Sequence, residues 1–511
     1  MNPLLRSLLI GVVLWEFVGD LDLVAGGALP SPSEILVKAW QDRADYGGHI
    51  LATLQAAAVG FVIGNAIAIL AAVAFVRWPI TGRLAQGINV ALFALPPIAL
   101  VPVLLIAFDG MTPRYILAAI AVYFPTMTAM QVGLTQIDPR AADLIRAYGG
   151  GPSVLMRLLR LRASLPALLG GLRVAAPNAV LGAILAEFGG GARWGLGTYL
   201  LGSLGQANPA RLWGIGLAAT LIAGLAYGVF ALLARRVTGA TRAVTIASGA
   251  VPTARQGGTL SLIAAIILPF IVWWFFLYML DISPIVAKTP AGLFDYLFLA
   301  KSADSAQTRL LAALAETLPL TLLGMLAGLA VALVVAVLSE VRPVIAQSLL
   351  PVALITQTMP LVALTPLLLL LLGRGTAVTI AITVSVTFFP AFVTIAQGLQ
   401  LVSRAAFDLC RVYGASPLRE IRLVALPSAL PYLFAAAKLA VPRTLLGVMI
   451  AEWLATGRGL GNLMNQSRGF LDYGMIWAVA ITSVLISLLL YQFVVIAERR
   501  WQRHLGIDPA A

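Results

Sequence analysis

The chain says the same thing twice. Residues 143–166 read DLIRAYGGGPSVLMRLLRLRASLP and residues 408–431 read DLCRVYGASPLREIRLVALPSALP, an offset of 265. Gly149 aligns with Gly414, Pro152 with Pro417, Pro166 with Pro431, Pro177 with Pro442 and Glu187 with Glu452. At an offset of 264 the match runs outward: Thr53 with Thr317, Pro96 with Pro360, Pro102 with Pro366, Trp213 with Trp477, Tyr227 with Tyr491 and Arg235-Arg236 with Arg499-Arg500. The period far exceeds that of a solenoid, so it describes two domain-sized copies.

The solvent of these copies follows from their charge. Only 11% of residues are charged and 60% are hydrophobic, whereas a soluble domain carries about 25% charged residues. Apolar stretches of about 20 residues recur, each long enough to cross a hydrocarbon core of roughly 30 Å. The alternating strands of a β-barrel are absent. The fold class is therefore an all-α polytopic membrane protein with two parallel repeats of about six transmembrane helices. Spans are expected near 4–19, 50–76, 84–107, 114–134, 167–188 and 210–234, then near 259–280, 317–338, 345–372, 376–399, 430–453 and 475–497. Arg6 followed by an apolar run also fits a signal peptide; the span at 259–280, in the matching place, favours a retained helix. This gives a first transmembrane domain at 1–236, a cytoplasmic linker at 237–258 (TGATRAVTIASGAVPTARQGGT) and a second domain at 259–511.

Basic residues orient the chain. With both termini cytoplasmic, the inside segments hold 20 basic residues against 7 acids, and the outside segments hold 11 of each. The net charge of +13 thus sits on one face. Topology and anionic lipid account for it, and no nucleic acid is implied. Six spans per half is even, so both halves insert the same way up and their pseudo-twofold axis runs along the membrane normal. Cys410 is the single cysteine, and His49 and His504 are the only histidines. A His/Cys metal cluster is excluded on that count, and no residue is a candidate catalyst. No GxxxxGK[ST] loop occurs, so ATP-driven work would need another subunit.

Between the fourth and fifth spans of each half lies a cytoplasmic loop built alike: an amphipathic stretch, a glycine, a basic apolar segment, then proline. Glycine there permits a left-handed turn or close approach by another chain, and the arginines beside it can pair with carboxylates on a partner. The bland reading is a membrane-surface helix with snorkelling arginines; two copies at equivalent places favour a paired docking surface. The residues are Asp143, Arg146, Gly149 and Pro152 in the first loop, and Asp408, Arg411, Gly414, Pro417, Leu426 and Pro427 in the second.

The second loop resembles the EAA motif of permease subunits of ATP-binding-cassette importers. Asp408-Leu409-Cys410 stands where Glu-Ala-Ala would, Gly414 follows after Arg411, Val412 and Tyr413, and Val424-Ala425-Leu426-Pro427 completes the pattern. The first loop is the degenerate one, with Arg162 in place of the terminal proline. LPSPSEI (29–35), LPPIALVPVLLIAF (95–108), AEF (186–188) and AEWLATGRGLGNLM (451–464) are similar to the nitrate/sulfonate/taurine branch of these permeases. The resemblance implies a type I importer permease fold, two such permeases fused in one chain, and multi-pass residence in a bacterial inner membrane. It implies two copies of a separate ATPase that holds the ATP and magnesium, coupling helices at the two loops, and an extracytoplasmic solute-binding protein. The chain itself would hold no cofactor. Implied solutes are nitrate, sulfonates, taurine and neutral or weakly charged heterocycles such as pyrimidine vitamin precursors. The alternative, a secondary transporter or channel with no ATPase, leaves the doubled loop unused. A membrane-embedded enzyme is disfavoured because no catalytic cluster shares a span.

Intramembrane charges are the candidates for the pathway. Arg443 lies twelve residues past Pro431, roughly 18 Å into the membrane, and its counterpart is Asn178. It is expected to face the axis and attract an anionic or electron-rich solute; a structural pair on another helix is the competing role. Arg173 and Lys438 lie nearer the cytoplasmic face and read as structural. Glu187 and Glu452 end the fifth spans, where they would line an outer gate, receive a binding protein, or cap the next loop. Pro96-Pro97 and Pro360 are expected to break the third spans.

Overall fold

The computed structural model of the protein describes residues 3–24, 27–190, 193–206, 208–238, 259–279, 283–341, 361–400, 402 and 404–504. Among them every regular element is helical. The first half contains α1 (Pro3–Asp20), α2 (Pro32–Gln41), α3 (Arg43–Arg77), α4 (Pro79–Ala94), α5 (Pro97–Ala107), α6 (Thr112–Thr135), α7 (Pro139–Ala147), α8 (Pro152–Leu155), α9 (Leu161–Ala163), α10 (Leu165–Gly190), α11 (Leu196–Leu204) and α12 (Pro209–Thr238). The second contains α13 (Thr259–Met279), α14 (Pro290–Phe294), α15 (Ala303–Val341), α16 (Leu361–Leu372), α17 (Thr376–Gln400), α18 (Arg404–Val412), α19 (Pro417–Glu420), α20 (Leu426–Ala451), α21 (Gly459–Gly469) and α22 (Tyr473–His504). Proline opens many of them, for example Pro79, Pro97, Pro139 and Pro417, where its missing N–H costs nothing.

Eight helical stretches among the described residues are long and apolar enough to cross a membrane. They answer eight of the twelve expected spans, and α1 and α13 are the helices at 4–19 and 259–280. The span at 84–107 is two helices, parted at Leu95 and Pro96, whose backbone is extended. Pro360 and residues 345–360 lie outside the described residues, as does 239–258 of the expected linker; residues 237 and 238 belong to α12.

Each half is built on a tight three-helix core: α3, α6 and α10 in the first, α15, α17 and α20 in the second. Small residues set these crossings, because lipid offers no hydrophobic drive between helices and close packing must supply the attraction. Gly60 and Gly64 of α3 lie against Ala118, Ala119 and Val122 of α6. Their equivalents Gly324 and Gly328 of α15 lie against Thr383 and Thr387 of α17. The halves also lock into each other. Helix α13 packs on α4, α12 packs on α16, and α22 packs on α4 and α5.

A tryptophan pair recurs in each half. The Trp15 and Trp213 rings lie 5.5 Å apart, and Trp273 stacks on Trp477 at 5.3 Å. The Trp213 indole donates to the Ala28 carbonyl at 3.1 Å and that of Trp477 to Val286 at 3.0 Å. Nearby, Asp42 ties α2 to α12. It accepts two hydrogen bonds from Arg211, at 2.7 and 2.8 Å, and pairs with Lys38 at 3.0 Å. The Arg211 bonds, against opposing desolvation and with help from Lys38, hold the Asp42 carboxyl below its usual value. A depressed folded-state pKa contributes stability above the unfolded pKa near 3.9 that is lost as pH falls through the folded value. We expect Asp42→Asn to cost about 1.5 kcal/mol at pH 7, the lower end for a hydrogen bond to a charged group. The difference from the parent protein should shrink as pH drops below about 4. Thermal unfolding in detergent across this range checks it, and a pH-independent difference would refute the assignment.

Candidate functional site

The two repeated loops fold alike. Asp138 caps α7 by accepting from the Arg140 N–H at 2.9 Å, and α7 tucks only Ala142 inward. The helix ends at Gly149, whose φ is +77°, and α18 ends at Gly414, whose φ is +69°. In the first loop Gly149 N–H bonds Arg146 O and Gly150 N–H bonds Ile145 O, at 2.9 and 2.8 Å. In the second, Gly414 N–H bonds Arg411 O and Ala415 N–H bonds Cys410 O, both at 2.9 Å. This paired closure is the Schellman turn, which needs a left-handed residue that glycine adopts without strain. Each loop then runs through a short helix into one π-helical turn, Met156–Arg160 and Ile421–Ala425.

All ten residues expected at the docking surface are exposed: Asp143, Arg146, Gly149, Pro152, Asp408, Arg411, Gly414, Pro417, Leu426 and Pro427. The structure adds what spacing alone did not single out. Tyr148 and Tyr413, immediately before the glycines, are 86% and 83% exposed. Leu144, Leu409, Val412 and Leu418 stand out beside them. Apolar tips of this kind are the usual anchors of a protein contact. The loops differ in one strap. Arg411 reaches Glu420 at 3.1 Å, joining α18 to α19, whereas among the described residues Arg146 pairs only with Asp143 of its own helix, at 2.9 Å. The residue equivalent to Glu420 is the buried Leu155.

In the membrane, Arg443 interrupts a sealed helix. From Ala440 to Ala451 every residue of α20 is buried except Arg443, which is partly buried. Among the described residues its guanidinium makes no hydrogen bond and no ion pair. Asn178, its equivalent on α10, is likewise partly buried. The other cations of the fifth spans are satisfied by the last helix of their own half. Arg173 lies over the Tyr227 ring at 4.6 Å, and Lys438 binds Glu498 at 2.8 Å.

Glu187 and Glu452 are not part of an open wall. They are 0% and 1% exposed and clasp the short helices that follow them. Thr53 donates to Glu187 at 2.8 Å, the Leu196 N–H to Thr53 at 2.9 Å, and the Gly197 N–H to Glu187 at 3.0 Å. The second half repeats this with Thr317, Glu452, Leu460 and Gly461 at 2.7, 2.9 and 2.9 Å. The capping role is therefore the one the geometry supports, because a carboxylate taken out of water needs such donors. One partner is not repeated. Arg114 lies 4.0 Å from Glu187, and Val378 stands at the equivalent position in the second half. Helices α11 and α21 were expected as loop; nine and eleven residues long, they are too short to show in hydropathy and are held by partners far off in sequence.

Comparison with known proteins matches the repeat. A family profile described as binding-protein-dependent transport system inner membrane component matches residues 64–242 and again residues 324–503. A probable ABC transporter permease protein of Haemophilus influenzae is 34% identical over 169 residues, 33% of this chain and 69% of that protein. A formylaminopyrimidine transport permease protein of Halalkalibacterium halodurans is 29% identical over 176 residues, 33% of this chain and 70% of that protein. A putative aliphatic sulfonates transport permease protein of Bacillus subtilis is 27% identical over 178 residues, 35% of this chain and 64% of that protein. Each match thus spans about two thirds of the relative.

Proposed function

Because the chain belongs to the family of binding-protein-dependent transport system inner membrane components, whose domain it carries twice, we propose that it forms the whole translocation pathway of an ATP-driven importer. Two copies of a separate ATPase dock on the loops at Tyr148-Gly149 and Tyr413-Gly414. An extracytoplasmic binding protein delivers the solute to the opposite face. The bias of the basic residues supports placing both termini in the cytoplasm. The ATPase pair closes on ATP, moves both loops, and switches the axial path between outward and inward access. The carrying observation is the pair of loops with the same left-handed glycine and the same exposed tyrosine.

The solute is a small anion or an electron-rich heterocycle. Arg443, partly buried in the middle of α20 and without an ion pair among the described residues, supports this class, because a cation at that depth is costly until an anion or water meets it. The matched permeases for a sulfonate and for a formylaminopyrimidine fall within it.

Purification in mild detergent tests the reading. Two Walker-motif ATPase subunits should accompany each chain, and Gly414→Trp should remove them. A side chain at a positive φ costs about 1–2 kcal/mol, and the indole would stand where the partner must approach. The strap between Arg411 and Glu420 makes the second loop the stiffer one, so Gly414→Trp should reduce uptake more than Gly149→Trp. Equal losses would contradict unequal docking, and no ATPase at all would contradict the importer.

A further inference from the structure

Equivalent residues of a twofold repeat touch each other only where the axis passes between them. Phe188 and Trp453 are equivalent, each following its clasped glutamate, and their rings meet edge to face with centroids 6.5 Å apart. The axis is therefore plugged at the outer ends of α10 and α20. Asn178 and Arg443 lie ten residues back along their helices, roughly 15 Å closer to the cytoplasm.

The two sides of this plug are not built alike. Phe188 is 4% exposed and sits in regular α-helix. Trp453 is half-buried and sits in a π-helical turn, Glu452–Thr456. Turns of that kind are frequent at functional sites. Trp453 also borders an outward cleft of about 470 Å³, rimmed by Glu316, Arg374 and Arg458. In the first half the positions of Glu316 and Arg374 hold Ala52 and Gly110. There Trp194 leans on His49 with ring centroids 5.1 Å apart, and it lies so close to Gly48 that an added Cβ would sit 2.7 Å from its ring.

We propose that Phe188 and Trp453 form the outer gate and that it opens on one side only. Trp453 swings into the cleft while Phe188 stays as a fixed post, so the solute passes on the side of the second half, the half that carries Arg443. The direction of transport rests on the importer reading; the gate does not.

Accessibility measures this directly. In the full chain carrying Cys410→Ser and Asn178→Cys, a membrane-impermeant methanethiosulfonate reagent is added outside right-side-out vesicles. Trp453→Ala should speed labelling at position 178 about tenfold or more, as removal of a closed lid does, and Trp453→Phe should keep it slow. Unchanged labelling in Trp453→Ala overturns the gate. Filling the cleft tests the asymmetry: Glu316→Trp should reduce uptake about tenfold, whereas Ala52→Trp in the first half should leave it nearly unchanged. Equal effects overturn one-sided opening. Labelling needs no ATPase, so a missing ATPase sinks the importer reading alone.

Discussion

Arg443→Met is expected to stop uptake, by about 100-fold or more, without loosening the fold. A donor aimed at charge in a water-poor site contributes on that scale. The second half of the expectation is the sharper one. Removing one member of a buried ion pair costs about 3–5 kcal/mol, because the partner is left alone. Arg443 has no such partner among the described residues, and its neighbours Pro442 and Thr444 are buried. Methionine of similar length should therefore leave thermal stability unchanged or raise it. Asn178 already holds the equivalent place without a charge. Uptake and the unfolding temperature are measured on the same preparation. Intact uptake would remove Arg443 from the pathway, and a fall of several degrees in the unfolding temperature would return it to a structural pair.

Gly64→Leu should leave little folded chain in the membrane. A Cβ added at Gly64 would lie 2.7 Å from the Ala119 Cα, and backbone cannot rotate aside. Overpacking of a tight core costs about 1–3 kcal/mol for extra methylenes, and leucine would force α3 from α6 along the crossing that founds the first half. Gly64→Ala should be intermediate. The control has the same spacing: Gly224 and Gly228 of α12 have nothing within 4 Å of an added Cβ, so Gly224→Leu should be tolerated. Recovery of monodisperse protein after detergent extraction measures all three. Equal recovery of Gly64→Leu and Gly224→Leu would show that the α3–α6 crossing is looser than the structure has it.

The comparison of these two glycine pairs shows where reading the chain stops. Both have the form glycine, three residues, glycine, in an apolar helix. Only contact with α6 separates them, and no local signal carries it. The docking loops were legible for the opposite reason. Gly149 and Gly414 close turns whose bonds span five residues or fewer, so local chemistry writes them in the chain. The tyrosines before them became notable only when their exposure was known.

Hydropathy, the sparse charges and the doubled pattern were enough to settle the membrane, the helical class and the twofold repeat, since burying backbone in lipid leaves few other solutions. The basic loops gave an expectation for which face is inside. What tertiary structure alone decided are pairings between distant residues: Thr53 with Glu187 and Thr317 with Glu452, 134 and 135 residues apart, and Phe188 against Trp453 across the axis. A carboxylate at the end of a span looks the same in sequence whether it faces a gate or a backbone N–H. Its role is set by which groups the packing of helices brings within 3 Å, and that is a property of the fold as a whole.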